Sequence, residues 1–219
     1  MASSGTVTFN PDLVELFEEA YELAGLEMRG GYQLATARRS FNMLTIEWAN
    51  RGVNLWTVEK ASNLTTVDGT ATVSLPADTI DVLEIMVRED SIDYQLNRIG
   101  VQQYAQIPDK ATEGRPNQYW INRAATPVLN LYPTPNAAYT LVYYRARRIH
   151  DAGSYTNTAD IPFRFLSALR YGLAADIAMK NPNLVDRLPI LQAEYEKQFQ
   201  LAMEEDREKA PFMLVPGRR

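Results

Sequence analysis

A single histidine, His150, no cysteine, and carboxylates scattered along charged stretches are what this chain offers for chemistry. One imidazole excludes a two-histidine metal site or a histidine relay within one chain, and the missing thiols remove disulfides, thiolate ligands and cysteine nucleophiles together. Cysteine absence does not locate the protein, because it suits a reducing compartment and survival outside cells equally. His150 follows Arg147, Arg148 and Ile149 at the end of an expected strand, the setting of a surface histidine rather than of a general base. Glu18 and Glu22 stand four residues apart on a polar helix face, where nothing buries them as paired acid-base work requires. Gly30, Gly31, Gly52, Gly69 and Gly114 assemble neither a dinucleotide fingerprint nor a phosphate-cradling loop. The chain is therefore read as a non-enzyme, with no catalytic, metal or cofactor-binding residue assigned.

Binding chemistry is better represented. Arg145, Arg147 and Arg148 end a strand, and Arg38 and Arg39 sit together in a helix. Lysine and arginine number 22 against 27 aspartates and glutamates, a net charge of −5, so these arginines are read as salt-bridge partners of the acidic helices or of another subunit before they are read as a phosphate track. Sequence-reading DNA binding is disfavoured by the same charge. Tyr119, Trp120, Tyr143 and Tyr144 concentrate between residues 119 and 144, where core packing is the default and an interface the alternative. At the C-terminus Pro211, Phe212, Met213, Leu214, Val215, Pro216, Gly217, Arg218 and Arg219 follow a charged stretch. An apolar run bracketed by prolines at a chain end, where residues are ordinarily polar, reads as an extended anchor for another protein.

The elements that must position these groups follow from periodicity. Leu13, Leu16, Phe17, Ala20, Leu23 and Ala24 predict a first helix, capped by Asn10 or Thr8 with Pro11 in its first turn and stopped at Gly25; Asp12, Glu15, Glu18, Glu19 and Glu22 line its other face. Leu34, Ala37, Phe41, Leu44 and Trp48 predict a second, C-capped by Gly52. From Val53 to Arg148 the runs turn β-rich, punctuated at Val67-Asp68-Gly69-Thr70, Leu75-Pro76, Glu89-Asp90, Gly114-Arg115-Pro116 and Pro133-Thr134-Pro135-Asn136. Ile92, Tyr94 and Leu96 alternate as in a half-buried strand, whereas Ala138 to Tyr144 is apolar on both parities and is expected to be covered on both faces. Too little chain separates the turns for crossover helices, so the region is read as an antiparallel sandwich or barrel with one helical turn near Val101 to Ala105.

Helical spacing returns after a polar connector. Asp160 is the expected N-cap of a third helix with Leu166, Leu169, Leu173 and Ile177 on its stripe, beside a small-residue strip of Ala168, Gly172 and Ala175 that lets another helix approach. Leu184, Leu188, Leu191, Tyr195, Phe199 and Ala202 mark a fourth, which Pro189 either kinks or delays. The expected fold class is α+β, with residues 1–52 and 151–210 supplying two helix pairs of one four-helix bundle, 53–150 an inserted β-domain, and 211–219 an extended tail. With 46% hydrophobic and 22% charged residues, the 219-residue chain lies well outside the disordered class. No apolar run approaches the roughly 18 residues of a membrane span, and MASSGTVTFNPD lacks a basic-then-apolar leader, so a soluble, unexported protein without a membrane partner is expected.

Three stretches carry a family resemblance: EEAYELAGLEMRGGYQLATARRSFNMLTIEWANRGVNLWTVEK, SLPADTIDVLEIMVRED and IPFRFLSALRYGLAADIA. Together they resemble the head-to-tail adaptor proteins of short-tailed bacteriophages, also called tail accessory factors or connector ring proteins. The resemblance implies a helical bundle with an inserted β-domain, a homo-oligomeric ring, usually a dodecamer, beneath the portal protein, and a C-terminal extension reaching into the portal. Carried over by position, Pro211 to Arg219 would be the portal-binding element. A tail nozzle protein, double-stranded DNA passing through the lumen unread, and tail fibres or spikes are the other partners it implies. Localisation would be the portal-tail junction of a virion assembled in the host cytoplasm. Overall acidity suits a conduit whose wall should not hold its cargo. The alternatives are another tail-completion or nozzle-type ring component and, outside that class, a carboxylate-dependent hydrolase.

Overall fold

The computed structural model describes residues 5–6, 9–53 and 55–206. The chain is α+β, and it divides into two compact units, one made of the residues up to Val53 and from His150 onward, the other of Asn54–Ile149. Five α-helices lie among the described residues: α1 (Leu13–Ala24), α2 (Gly31–Asn50), α3 (Val101–Gln106), α4 (Leu166–Met179) and α5 (Leu188–Glu205).

In the first unit α1 begins at a capping box that differs from the expected cap. Asp12, rather than Asn10 or Thr8, accepts from the Glu15 N–H at 2.9 Å, and the Glu15 carboxylate accepts from the Asp12 N–H at 3.1 Å. Pro11 consequently precedes the cap instead of entering the first turn. Both N-terminal helices end in the same way. Gly25 (φ 87°) and Gly52 (φ 80°) take the left-handed conformation that lets the next residue bond back, Leu26 N–H to Tyr21 O at 2.9 Å and Val53 N–H to Trp48 O at 3.1 Å. The cap proper of α2 is Arg51, one residue before the glycine expected there.

Two further expectations are corrected in the C-terminal half. Asp160 does not cap a helix; its carboxylate accepts from the His150 N–H at 3.1 Å, and α4 starts only after a 3-10 turn at Phe163–Phe165. Pro162 removes an N–H and fixes φ just where a helix from Asp160 would have to propagate. At Pro189 the chain takes the delayed option, with a 3-10 segment over Pro182–Arg187 and the proline in the first turn of α5.

Helices α1, α2 and α5 each pack against α4, whose buried residues Ala168, Leu169, Gly172, Leu173, Ala174, Ala175, Ile177 and Ala178 nearly encircle it. At their centre is an aromatic cluster in which Trp48 lies 5.5 Å from Phe165 and 5.7 Å from Phe199, ring centre to ring centre. The Trp48 indole N–H, fully buried, donates to the Tyr195 hydroxyl at 2.9 Å. Gly172 sits beneath this pair, and a Cβ there would come within 2.9 Å of both Leu44 Cδ2 and Tyr195 Cε2.

In the second unit, strands β1 (Val58–Thr65), β2 (Thr72–Ser74), β3 (Thr79–Glu89), β4 (Ile92–Gln95), β5 (Asn97–Arg98), β6 (Glu113–Gly114), β7 (Gln118–Asn122), β8 (Val128–Tyr132), β9 (Thr134–Pro135) and β10 (Thr140–Arg147) form sheets of order β1-β10-β3-β4, β2-β8-β7-β5 and β6-β9. Every longer pairing is antiparallel, while the two-residue pairings β5 with β7 and β6 with β9 are parallel. The segment between β5 and β7, which carries α3, supplies the long connection that a parallel pair requires. Val82, Ile85, Val87, Leu141 and Tyr143 from the first sheet meet Val73, Tyr119, Ile121, Leu129 and Leu131 from the second in one core. Central β10 buries Leu141 and Tyr143 on one side and Val142 on the other. The hairpin after Glu89 turns through Asp90 (φ 49°) and Ser91 (φ 67°). Ile92 departs from its expected burial, being 54% exposed, because β4 is an edge strand held by β3 alone and only Leu96 reaches the core.

Two outcomes follow. Gly172→Leu should destabilise the helical unit by about 1–3 kcal/mol through overpacking, read as a lower helical melting temperature; an unchanged melt would show that the site has room. Burial pushes the Tyr195 phenol up to about 12 from its ordinary 10.0. A raised folded-state value gives stability that is complete below pH 10 and lost as pH climbs toward 12. Wild type should therefore lose more stability than Tyr195→Phe over pH 10–12 in denaturant melts.

Candidate interaction surfaces

His150 stands beside an open pocket of about 640 Å³ formed by the 150–160 connector, with Leu13 and Phe41 at its base. Its Nδ1 lies 3.5 Å from Asp160 Oδ2, and the side chain is two-thirds exposed. The Asp160 carboxylate is held there by the His150 backbone N–H at 3.1 Å. Among the described residues no group of histidine, aspartate and glutamate could hold a metal, and no helix is long and apolar enough to cross a membrane.

Of the three strand-end arginines two are engaged and Arg148 is exposed. Arg145, buried in β10, donates through Nη1 to Asp78 Oδ1 at 2.6 Å and Thr79 Oγ1 at 2.7 Å and through Nε to Glu59 Oε1 at 2.7 Å; Arg147 approaches Glu59 at 3.5 Å. Their partners belong to the β unit, which corrects the expectation of pairing with acidic helices: Glu59 on β1 and Asp78 before β3 flank β10 in the sheet order, so strand pairing delivers the carboxylates. The hydrogen bond from Arg145 holds the Asp78 carboxyl below its ordinary range. Tyr119 and Tyr143 are core residues, whereas Trp120 is half-buried against Tyr104 at 5.6 Å and Tyr144 lies under Lys60.

On the helical unit the charges are freer. Glu18 and Glu22 on α1 are exposed and make no ion pair among the described residues, whereas Glu19 pairs with Arg170 Nη1 at 2.8 Å and Asp12 and Glu15 serve the capping box. Arg38 lies over the Tyr155 ring and Arg39 donates to Thr36 Oγ1, both exposed on α2 and neither meeting a carboxylate among the described residues. Ala168, Gly172 and Ala175 lie buried on α4, with Gly172 and Ala175 along a groove between α2 and α5. The anchor proposed at Pro211 to Arg219 lies outside the described residues.

Exposed apolar side chains escaped the sequence reading: Phe9, Tyr32, Met43, Ile46 and Met179. A signal was there, since α2 carries apolar residues on two opposite stripes and one helix buries only one of them readily.

Arg145→Met should destabilise the β unit by about 1–3 kcal/mol by orphaning Asp78 and Glu59, detected as a lower β-sheet melting transition; unchanged stability would show the network to be incidental.

A family model described as SU10 adaptor protein matches residues 21–218. No curated protein matches the chain.

Proposed function

Because the chain belongs to the SU10 adaptor protein family, a family of phage structural adaptors, we propose that copies of it form a ring, a dodecamer, which joins the portal to the tail nozzle and lines the DNA passage. Membership of the family implies a virion component that interacts with portal and tail components, and it supports a structural role. The observation that carries the reading is the extent of the match, which takes in both compact units. Supporting it are Glu18 and Glu22 on α1, which make no ion pair among the described residues, and the exposed apolar side chains of α2, features of a surface that meets protein.

In this reading α1, α2, α4 and α5 act as a four-helix bundle that builds the ring, with the close approach at Ala168, Gly172 and Ala175 keeping it rigid. The two sheets of 53–150 act as a sandwich presented to the nozzle, with fibres or spikes as further neighbours. A net charge of −5 suits a wall along which DNA slides. The hydrolase alternative draws no support from Glu18 and Glu22, which are exposed.

Residues 211–219 are assigned the portal contact. Each of Phe212, Met213, Leu214 and Val215 offers roughly 1.5–3 kcal/mol on burial, against about 1–2 kcal/mol of backbone entropy for every residue ordered. A single tail is consequently weak, but tails carried on one ring reinforce one another through effective concentration. Deleting Pro211 to Arg219 should leave circular dichroism and unfolding temperature nearly unchanged while co-sedimentation with portal is lost. Truncated protein that sediments with portal at wild-type levels would move the anchor elsewhere.

A further inference from the structure

The helical unit carries two surface features of opposite character. On α2, Tyr32, Arg39, Met43 and Ile46 are spaced by seven, four and three residues, which places them on one stripe opposite the buried Ala37, Phe41, Leu44 and Trp48. Tyr32 is 81% exposed and Met43 68%, so the helix presents an apolar ridge bearing the cation of Arg39, with exposed Arg38 about 100° round the helix beside Tyr155. Along α1 runs an open groove of about 460 Å³, walled by Phe9, Leu16 and Leu166 on its apolar side and by Glu15, Glu18, Glu19 and Glu22 on its acidic side, where Arg170 pairs with Glu19 and leaves the other carboxylates in excess. Phe9 is 82% exposed there. The ridge is apolar and basic; the groove is apolar and acidic.

We infer that the α2 ridge of one copy seats in the α1 groove of the next, with Arg38 and Arg39 meeting Glu18 and Glu22. The occupant is a second copy because both complementary surfaces stand on the same unit, each missing what the other holds: Glu18 and Glu22 make no ion pair among the described residues, and Arg38 and Arg39 meet no carboxylate there. Ridge and groove are different patches, so the contact is heterologous. Each added copy leaves one ridge and one groove open, and such contacts propagate head to tail until rotation closes a ring. Opposite charges fix the register and disfavour ridge-to-ridge pairing, while the exposed Tyr32, Met43 and Phe9 supply apolar burial. This names the copy-to-copy surface of the ring proposed above and rests on that reading.

Charge exchange tests it. Glu18→Arg with Glu22→Arg makes one variant, and Arg38→Glu with Arg39→Glu the other; neither pair includes the capping Glu15 or the bound Glu19. Ring formation on portal is followed by sedimentation velocity, with circular dichroism confirming folding. Each variant alone should assemble at least tenfold less than wild type. Their equimolar mixture should recover assembly, because every junction then pairs opposite charges again. Folded variants that assemble normally alone, or a mixture that stays dispersed, would overturn this contact while leaving the ring intact. Wild-type protein that forms no ring on portal would overturn the ring and this contact together.

Discussion

The buried hydrogen bond from Trp48 to Tyr195 joins residues 147 positions apart in the chain. An indole N–H shut away from water is costly unless it finds an acceptor, and the one it finds stands on the last described helix. Tyr195 in turn donates to Glu47 at 3.4 Å, and Arg51 links Glu47 to Glu196 while lying 4.7 Å from the centre of the Phe199 ring. Satisfying that network requires α2 and α5 to close on each other across α4, and α4 meets the demand with Gly172, where any side chain would strike Leu44 and Tyr195. The helical unit is thus completed only when the chain returns from a long excursion, and the excursion has to stabilise itself.

It does so with separate means. The β unit has its own apolar core from two sheets, and within it Arg145 pairs with Glu59 and Asp78 and Arg147 with Glu59. Charge not consumed internally is left on the outer faces of α1 and α2, together with apolar side chains that the unit does not cover. Exposed charge and apolar side chains are thus spread over the surface of the helical unit. That distribution is what a member of an adaptor family needs, since its work is contact.

Much of this was legible in the sequence because burial imposes period. The inner stripe of α2 and the two-sided burial of β10 follow from spacing alone, and the glycines closing α1 and α2 stand where helical spacing stops. What was not legible depends on choices that local pattern leaves equal. Asn10 and Asp12 are both good caps, and only the reach of Glu15 back to Asp12 decides between them. Alternation at Ile92 gives the period of a strand without saying whether it has a neighbour on its far side. Strands of two residues carry no period at all, so the parallel pairings of β5 and β6 could not be read. Partners of Arg145 lie 67 and 86 positions away, set by sheet order rather than by anything near the arginine.

The proposed function rests on copies of this chain forming a ring between portal and tail. Electron-microscopy class averages of the purified protein mixed with portal address it most directly. The account predicts a closed ring of copies seated coaxially on the portal, with an open central channel wide enough for duplex DNA. Portal particles that remain bare, or that carry isolated copies without a continuous ring, would contradict it.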